Sequence, residues 1–376
     1  MRVVFCIYNF RKEMIALQPW LTFLHIGKAL FERGHEVYVF TDVANPAKID
    51  GFTTIHVVSL RGSNKLKLIN TINLISPDTL VFLPTPLNLF TSGWLHAIQN
   101  CRCVAFTSYP FYTPVELLLA WQKVEFRHIK AYLRHLLIPG MLWRSSFCRQ
   151  FSAVISQSQS TFERLSAVLN HRIPLHVIPP GIDLSNWPIR SIAPKLPLKL
   201  LYIGTASKIR GFDVLLDAMA YIKNIPAHLN VLARGADDSD LDHIHSAVKR
   251  RDLGKRVDVS GGWLQHSELL AKIHTASAVV LPFVLVPSDL PVSVIEAIAC
   301  GTPVIGSRID GIPSSIGRAG TVVKQANSHS LARIFMRMND NPNLLNKWHA
   351  GCVEQRNQMM DWDSVAGKWE KVLFNS

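Results

Sequence analysis

The feature that most constrains the fold of this chain is one stretch, residues 282–305 (PFVLVPSDLPVSVIEAIACGTPVI). It predicts a strand, a loop, a helix, a turn and a second strand in immediate succession. Pro291 suits the first helical position, where its fixed φ is helical and its missing N–H costs nothing. The sequence Gly301-Thr302-Pro303 is a typical helix stop. A helix placed directly between two strands indicates an α/β fold with its ligand at the carboxyl end of a strand.

The start of this helix is predicted to bind phosphate. Unpaired N–H groups and the positive end of the helix macrodipole attract an anion without needing a cationic side chain. The backbone amides concerned belong to Val292, Ser293 and Val294, and Glu296 follows about one turn later. The stretch therefore indicates a phosphate-bearing ligand such as a nucleotide.

A second phosphate contact is predicted within residues 198–222 (LKLLYIGTASKIRGFDVLLDAMAYI). They form an apolar strand, a glycine turn and an amphipathic helix. The turn holds Lys208 and Arg210 between Gly204 and Gly211. A basic turn directly after a buried strand is a common place for a phosphate site. The alternative is a solvated loop with ordinary surface charges.

These segments resemble the donor site of the retaining, nucleotide-sugar-dependent glycosyltransferases of the GT-B fold (glycosyltransferase family 4-like, group 1). That family is marked by E-x7-E followed by A-M-A-x-G-x-P-V, and residues 296–304 read E-A-I-A-C-G-T-P-V. The resemblance implies that Glu296 binds the ribose of the nucleotide. The family's first glutamate is missing, because Ser288 stands at its position with Asp289 beside it. We expect these two residues to lie near the donor in its place.

The resemblance also implies catalytic and further donor-binding residues. The family usually has an arginine and a lysine that bind the donor diphosphate as charge grows on the leaving group. Arg210 falls on the lysine position, whereas Thr205 replaces the arginine and Lys208 lies three residues later. Lys208 and Arg210 are therefore the expected catalytic residues. Trp263 is expected either to stack on the base or to belong to the core. The full set of predicted donor-binding residues is Gly204, Trp263, Ser288, Asp289, Pro291, Val292, Ser293 and Glu296.

The N-terminal half carries fewer motifs. Residues 9–19 contain no glycine, so the G-x-G-x-x-G turn of a dinucleotide-binding dehydrogenase is absent. Residues 33–37 (RGHEV) match a signature shared by GT-B enzymes, in which His35 is expected to be structural. Ser108 and Tyr109 stand near the place where many family members carry a histidine that contacts the donor sugar. We expect them on the acceptor or donor-sugar side of the site.

The length of 376 residues exceeds the usual size of one core and predicts two α/β domains. The expected divisions are an N-terminal Rossmann-like acceptor domain (1–180), a C-terminal Rossmann-like donor domain (195–355) and a terminal helix that crosses back (356–376). The predicted fold class is therefore α/β, of GT-B type, with two Rossmann-like domains facing each other across a cleft that holds the ligands.

The net charge of +13 indicates an anionic partner. Residues 121–150 are rich in lysine and arginine and carry an apolar stripe at helical spacing, which is typical of a helix in a membrane interface. The alternative is an ordinary domain helix with a basic outer face. No nucleic-acid recognition motif accompanies the charge. The predicted membrane-facing cations are Lys123, Arg127, Lys130 and Arg134, with Trp121, Trp143 and Phe147 at headgroup depth.

The remaining composition bears on compartment and cofactors. The six cysteines form no CxxC pair, which is typical of reduced thiols in a cytosolic protein. No apolar run reaches the roughly 20 residues of a membrane span, and the N-terminus does not resemble a signal peptide. No cofactor is expected besides the nucleotide sugar, and no metal, because histidines and cysteines are not clustered.

Together these features predict a retaining glycosyltransferase, peripherally bound to the cytoplasmic face of a membrane. It would transfer a hexosyl group from a UDP- or GDP-linked sugar to a glycan or lipid-linked acceptor. Three alternatives stay open: a non-catalytic subunit that binds nucleotide sugars, a GT-B sugar epimerase, and a structural scaffold at a membrane.

Overall fold

The computed structural model describes residues 1–56, 65–85, 88–136, 138–286 and 289–374. Within them, strands and helices alternate along the chain. The first group of strands is β1 (Arg2–Cys6), β2 (Glu36–Thr41), β3 (Phe52–His56), β4 (Thr79–Phe82), β5 (Arg102–Thr107), β6 (Ala153–Ser156) and β7 (Leu175–Val177). The helices between them are α1 (Trp20–Glu32), α2 (Leu66–Ile75), α3 (Pro114–Trp121), α4 (Phe126–Leu136), α5 (Gly140–Gln150) and α6 (Gln159–Leu169).

The second group of strands is β8 (Leu198–Ile203), β9 (Ala227–Arg234), β10 (Val257–Gly262), β11 (Ala278–Leu281), β12 (Val304–Ser307) and β13 (Gly320–Val323). Its helices are α7 (Phe212–Tyr221), α8 (Asp238–Arg250), α9 (His266–Thr275), α10 (Val292–Ala299), α11 (Ile312–Ile316), α12 (Ser328–Asp340) and α13 (Asn343–Arg356), followed by α14 (Trp362–Phe374). Two short 3-10 turns, Leu89–Thr91 and Gly93–Ala97, lie between β4 and β5.

The strands form two parallel sheets. Their orders are β3-β2-β1-β4-β5-β6-β7 and β10-β9-β8-β11-β12-β13, and every neighbouring pair runs parallel. In each sheet the order reverses beside its first strand, between β1 and β4 and between β8 and β11. Ligands of open α/β sheets bind at such a reversal, at the carboxyl ends of the strands. The two sheets confirm the predicted α/β class with two Rossmann-like domains.

The C-terminal helix α14 packs on the first sheet rather than the second. Trp369 is fully buried and contacts the rings of Phe23 and Phe106 edge-on, at centroid distances of 6.3 and 5.0 Å. At the rim, the Arg33 guanidinium lies 2.6 Å from the Glu370 carboxylate. Buried aromatic contacts and an ion pair beside them therefore hold the C-terminal helix on the first domain.

The basic segment does not form one amphipathic helix facing solvent. Ile129 in α4 is fully buried in a cluster that includes Phe283 of the second domain, and Leu133 packs against the same cluster. Trp143 and Phe147 are buried within the first domain. The expectation that these two aromatic side chains sit at headgroup depth is therefore wrong. Apolar periodicity cannot tell whether lipid or another domain covers a stripe.

Several apolar side chains remain exposed in and near this segment. Val115, Leu118, Trp121 and Phe126, on α3 and at the start of α4, are each more than half exposed, and Met141 and Leu142 are exposed at the start of α5. The cations Lys123 and Lys130 beside them are also exposed. Among the described residues, no helix is long and apolar enough to span a membrane.

A buried carboxylate joins the two domains. Asp289, in the loop after β11, accepts hydrogen bonds from the hydroxyls of Ser158 and Thr161 at the start of α6, the latter at 2.9 Å. Its backbone N–H donates to the Ser108 carbonyl at 3.1 Å. Burial raises the pKa of Asp289 to about 6, although both hydroxyls act in the opposite direction.

We expect the stability of this contact to depend on pH. In the folded protein the raised pKa favours the protonated acid, so its contribution is full at low pH and is lost as pH rises through about 6. Asp289→Asn keeps an acceptor oxygen but cannot ionise. Between pH 5 and 8 the wild-type protein should lose unfolding free energy relative to this variant. Chemical denaturation at several pH values measures the difference, and parallel curves for the two proteins would contradict it.

Candidate functional site

A cavity of about 370 Å³ lies between the two domains. It opens where strands of both sheets end, since it is lined by residues that directly follow or end β4, β5, β8, β9 and β10. A second cavity of about 200 Å³ shares Ala16, Arg234 and Trp263 with the first. The two cavities therefore form one elongated site with a wide end between the domains and a narrower end lined mainly by the second domain.

Arg210 lies on the second-domain wall of the larger cavity. Gly204 lets it lie close to the turn, because a Cβ at this position would come within 2.8 Å of the Arg210 Nη1 atom. Its guanidinium carbon stands 5.7 Å from the centre of the Phe283 ring. Burial lowers the pKa of Arg210, with the nearby Arg234 acting in the same direction and Tyr202 against it. Arginine stays protonated in proteins, so the site contains a desolvated cation.

Lys208 does not line the interdomain cavity. It is exposed and lines a different cavity, of about 220 Å³, together with His243 and Arg250. The structure thus separates the two cations that the turn holds in sequence. A turn residue can point to either side of the loop, and the sequence pattern does not determine which.

The second cation of the site is Arg234, which the sequence motifs did not reveal. It is the last residue of β9 and lines both cavities. Its Nη2 atom lies 3.5 Å from the Glu296 Oε2 atom. The available signal was a charged residue ending an apolar strand, but only the sheet order shows that β9 lies beside β8.

Glu296 lies in the narrower cavity and is only 8% exposed. Burial raises the pKa of Glu296, and the Arg234 guanidinium partly offsets this effect. Trp263 lines both cavities and is 57% exposed, so it is not a core residue. The narrower cavity therefore combines a buried carboxylate, a cation and an accessible indole.

Helix α10 begins at Val292, with Pro291 as the preceding N-cap residue. The structure thus places Pro291 one position earlier than predicted. Pro291, Val292 and Ser293 all line the larger cavity. The amide of Val294, which was expected to be free, donates to the Pro291 carbonyl at 3.1 Å. The first two helical residues are therefore the ones positioned to offer N–H groups to a ligand.

Ser288 and Asp289 are expected near the donor, in place of the family's first glutamate. Ser288 lies outside the described residues. Asp289 does not line either cavity, because its side chain is directed to the start of α6. The expectation that Asp289 lies at the donor therefore conflicts with the structure, which gives it an interdomain contact instead.

Ser108 and Tyr109 follow β5 and line the first-domain wall of the larger cavity. Ser108 is 9% exposed, and its hydroxyl has no hydrogen-bond partner among the described residues. Tyr109 stacks on Tyr132 of α4, with ring centroids 5.3 Å apart, and burial raises its pKa. In the described parts of the chain, no group of three or more His, Cys, Asp or Glu side chains could hold a metal ion.

Comparisons with known proteins agree with this architecture. The family described as Glycosyltransferase Family 4 matches residues 22–186, and the family described as Glycosyl transferases group 1 matches residues 197–341. Glycogen synthase of Mycobacterium tuberculosis is 27% identical over 230 residues, which cover 60% of this chain and 55% of that protein. The MMP alpha-(1->4)-mannosyltransferase of Mycolicibacterium hassiacum is 25% identical over 208 residues, covering 53% and 49%. The chain spans about half the length of these relatives.

Solved structures match over the full chain. Sucrose-phosphate synthase from Thermosynechococcus elongatus superposes with a TM-score of 0.74 at 19% identity, covering 99% of this chain and 98% of that one. HepE of Anabaena, in complex with UDP and glucose, superposes with a TM-score of 0.70 at 15% identity, covering all of both chains. These likenesses establish the GT-B fold. Because both halves are matched by glycosyltransferase families of this fold, the chain belongs to the family 4-like, group 1 glycosyltransferases.

Proposed function

We propose that this glycosyltransferase is a retaining hexosyltransferase with a UDP- or GDP-linked sugar as donor. Its acceptor would be a glycan or a lipid-linked glycan at the cytoplasmic face of a membrane. The observation that carries the proposal is the joined pair of cavities, with Arg234 at their junction, Arg210 on the wall of the larger one and the buried Glu296 carboxylate in the narrower one. HepE structures with UDP and with UDP-glucose support a nucleotide-sugar ligand for this fold.

We expect the nucleoside, the diphosphate and the sugar of such a donor to lie one after another along the two cavities. The nucleoside enters the narrower cavity, where Glu296 accepts hydrogen bonds from ribose hydroxyls and Trp263 offers a face to the base. The diphosphate then lies between Arg210, Arg234 and the start of α10. The sugar extends toward the first-domain wall, where an acceptor can approach it.

The reaction breaks the bond between the anomeric carbon and the diphosphate oxygen and forms a bond to the acceptor oxygen. The departing diphosphate gains negative charge, which two partly desolvated guanidinium groups stabilise more strongly than water would. In our proposal the acceptor attacks from the face that the diphosphate leaves, and its proton passes to a phosphate oxygen. This route needs no protein nucleophile, which agrees with the position of Asp289 outside the cavity.

The proposed membrane surface consists of exposed side chains on α3 and at the start of α4. Val115, Leu118, Trp121 and Phe126 are exposed beside cations, and the chain carries a net charge of +13. An apolar patch beside lysines fits the interface of an anionic bilayer, where each cation contributes about 1 kcal/mol. Arg127 and Arg134 are the other two predicted membrane-facing cations, and the structure does not describe their side chains.

Glu296→Gln should weaken nucleotide binding while leaving the fold intact. The amide loses the charge that strengthens hydrogen bonds to ribose, at a cost of about 1.5 to 3 kcal/mol. Calorimetry with UDP and GDP measures the change. Glu354→Gln, an exposed residue of α13 outside both cavities, is the matched control. Unchanged nucleotide affinity in Glu296→Gln would remove this carboxylate from the donor site.

Arg210→Ala and Arg234→Ala should each lower kcat about a hundredfold or more and weaken nucleotide binding less. An interaction that strengthens with developing charge acts mainly in the transition state. Lys208→Ala removes a cation from the same turn but outside the interdomain cavity, so its kcat should stay within a few fold of the wild type. Equal losses for Lys208 and Arg210 would contradict these positions. Absence of turnover in a wild-type protein that binds donor would favour the non-catalytic subunit.

Lys123→Glu combined with Lys130→Glu should reduce sedimentation with anionic liposomes at least about tenfold, since two favourable charges become repulsive. Leu118→Ser with Trp121→Ser should weaken binding through lost apolar contact. Lys249→Glu with Lys347→Glu makes the same charge change on the second domain and serves as control. Binding should also fall as salt rises. Equal binding to neutral vesicles, or none to anionic ones, would exclude the electrostatic membrane surface.

A further inference from the structure

The turn that holds Arg210 is bound to the loop that follows β11. Residues 283–286 of this loop, which we call the bridging segment, belong to the second domain. The backbone N–H groups of Val284 and Leu285 donate to the Ile209 carbonyl at 2.9 and 2.8 Å. A carbonyl oxygen has two lone pairs, and both are used here. The bridging segment therefore fixes the backbone directly before Arg210.

The Arg210 side chain and the residue after it also contact this loop. The guanidinium carbon stands 5.7 Å from the centre of the Phe283 ring, a distance at which a cation is attracted to an aromatic face. A Cβ at Gly211 would come within 1.8 Å of the Pro282 carbonyl oxygen, so the turn lies closer to the loop than a side chain would allow. A shift of the bridging segment would therefore move Arg210 with it.

The bridging segment also contacts the first domain. The Tyr112 hydroxyl donates to the Val286 carbonyl and accepts from the Val286 N–H, both at 2.7 Å. Tyr112 lies just before α3 and is 4% exposed. Removal of this hydroxyl would leave two backbone groups of the bridging segment without their partner.

Gln325 makes a second contact between the same parts. It follows β13 and is buried, and its Nε2 atom donates to the Val284 carbonyl at 2.6 Å and to the Glu116 carbonyl of α3 at 3.1 Å. One amide group thus holds the bridging segment beside a first-domain helix. Neither Tyr112 nor Gln325 is among the described residues that line the two cavities.

We propose that Tyr112 is a positioning residue of the reaction, which fixes the Arg210 guanidinium at the diphosphate by holding the bridging segment. Gln325 acts in the same way. Stabilisation of a developing charge requires donors that are already in place, and a displacement of about 1 Å can cost about a hundredfold in rate. Contact between the domains and placement of the cation are therefore linked. The inference rests on the proposed function, because it takes the diphosphate to bind at Arg210.

Calorimetry with UDP and GDP separates the two ideas. Failure of the wild-type protein to bind either nucleotide would overturn the proposed function and this inference with it. For the nucleotide that binds, Tyr112→Phe should raise the Kd at least about threefold, because the hydroxyl that holds the bridging segment is lost. Gln325→Leu removes the bridging amide and should have a similar effect. Tyr38→Phe removes a first-domain hydroxyl that donates to Glu36, outside both cavities, and should keep the wild-type affinity.

A double-mutant cycle distinguishes positioning of Arg210 from a general loss of structure. With Arg210→Ala in place, Tyr112→Phe should change nucleotide affinity less than about 1.5-fold, because the group that it positions is gone. With Trp263→Ala in place, the loss should stay at least about threefold. Equal losses in the two backgrounds would overturn the inference while leaving the proposed function standing. Wild-type affinity in both Tyr112→Phe and Gln325→Leu would do the same.

Discussion

The site depends on a constraint of open parallel sheets. Where the strand order reverses, the connections after two neighbouring strands leave on opposite faces and open a crevice at the carboxyl ends. This protein has one such reversal in each sheet, between β1 and β4 and between β8 and β11. Residues after these strands line one shared cavity. The candidate site thus arises where the two domains face each other, and neither domain alone would enclose it.

The charged groups of the site are arranged around Arg234. Its guanidinium contacts the buried Glu296 of the narrower cavity on one side and lies near Arg210 of the larger cavity on the other. Two guanidinium groups close together are unfavourable in the empty site, and burial increases the cost. An anionic ligand relieves that repulsion. The same arrangement that destabilises the free protein can therefore stabilise a bound diphosphate, and more so when charge accumulates on it.

The features that could be predicted from the sequence are those that depend on residues close together in the chain. The helix after β11 and the glycine turn at Gly204 were predicted because caps, turns and apolar periodicity involve neighbouring residues. Arg234 was missed, since its position beside β8 comes from the sheet order and its contact with Glu296 joins residues far apart along the chain. Asp289 was placed at the donor by analogy with a glutamate, but hydroxyls of α6 determine its direction. Local sequence contains no information about such a partner.

The segment from α3 to α4 shows how the proposed membrane surface and the cavity can be connected. Its outer side exposes Leu118 and Trp121, whereas Ile129 of α4 is buried in a cluster with Phe283 of the second domain. Just before α3, the Tyr112 hydroxyl donates to the Val286 carbonyl at 2.7 Å. Tyr132 of α4 stacks on Tyr109, which lines the cavity. One pair of helices therefore contacts solvent, the second domain and the cavity wall. An acceptor bound at the proposed membrane surface would approach the cavity beside α4, whose Tyr132 stacks on the lining residue Tyr109.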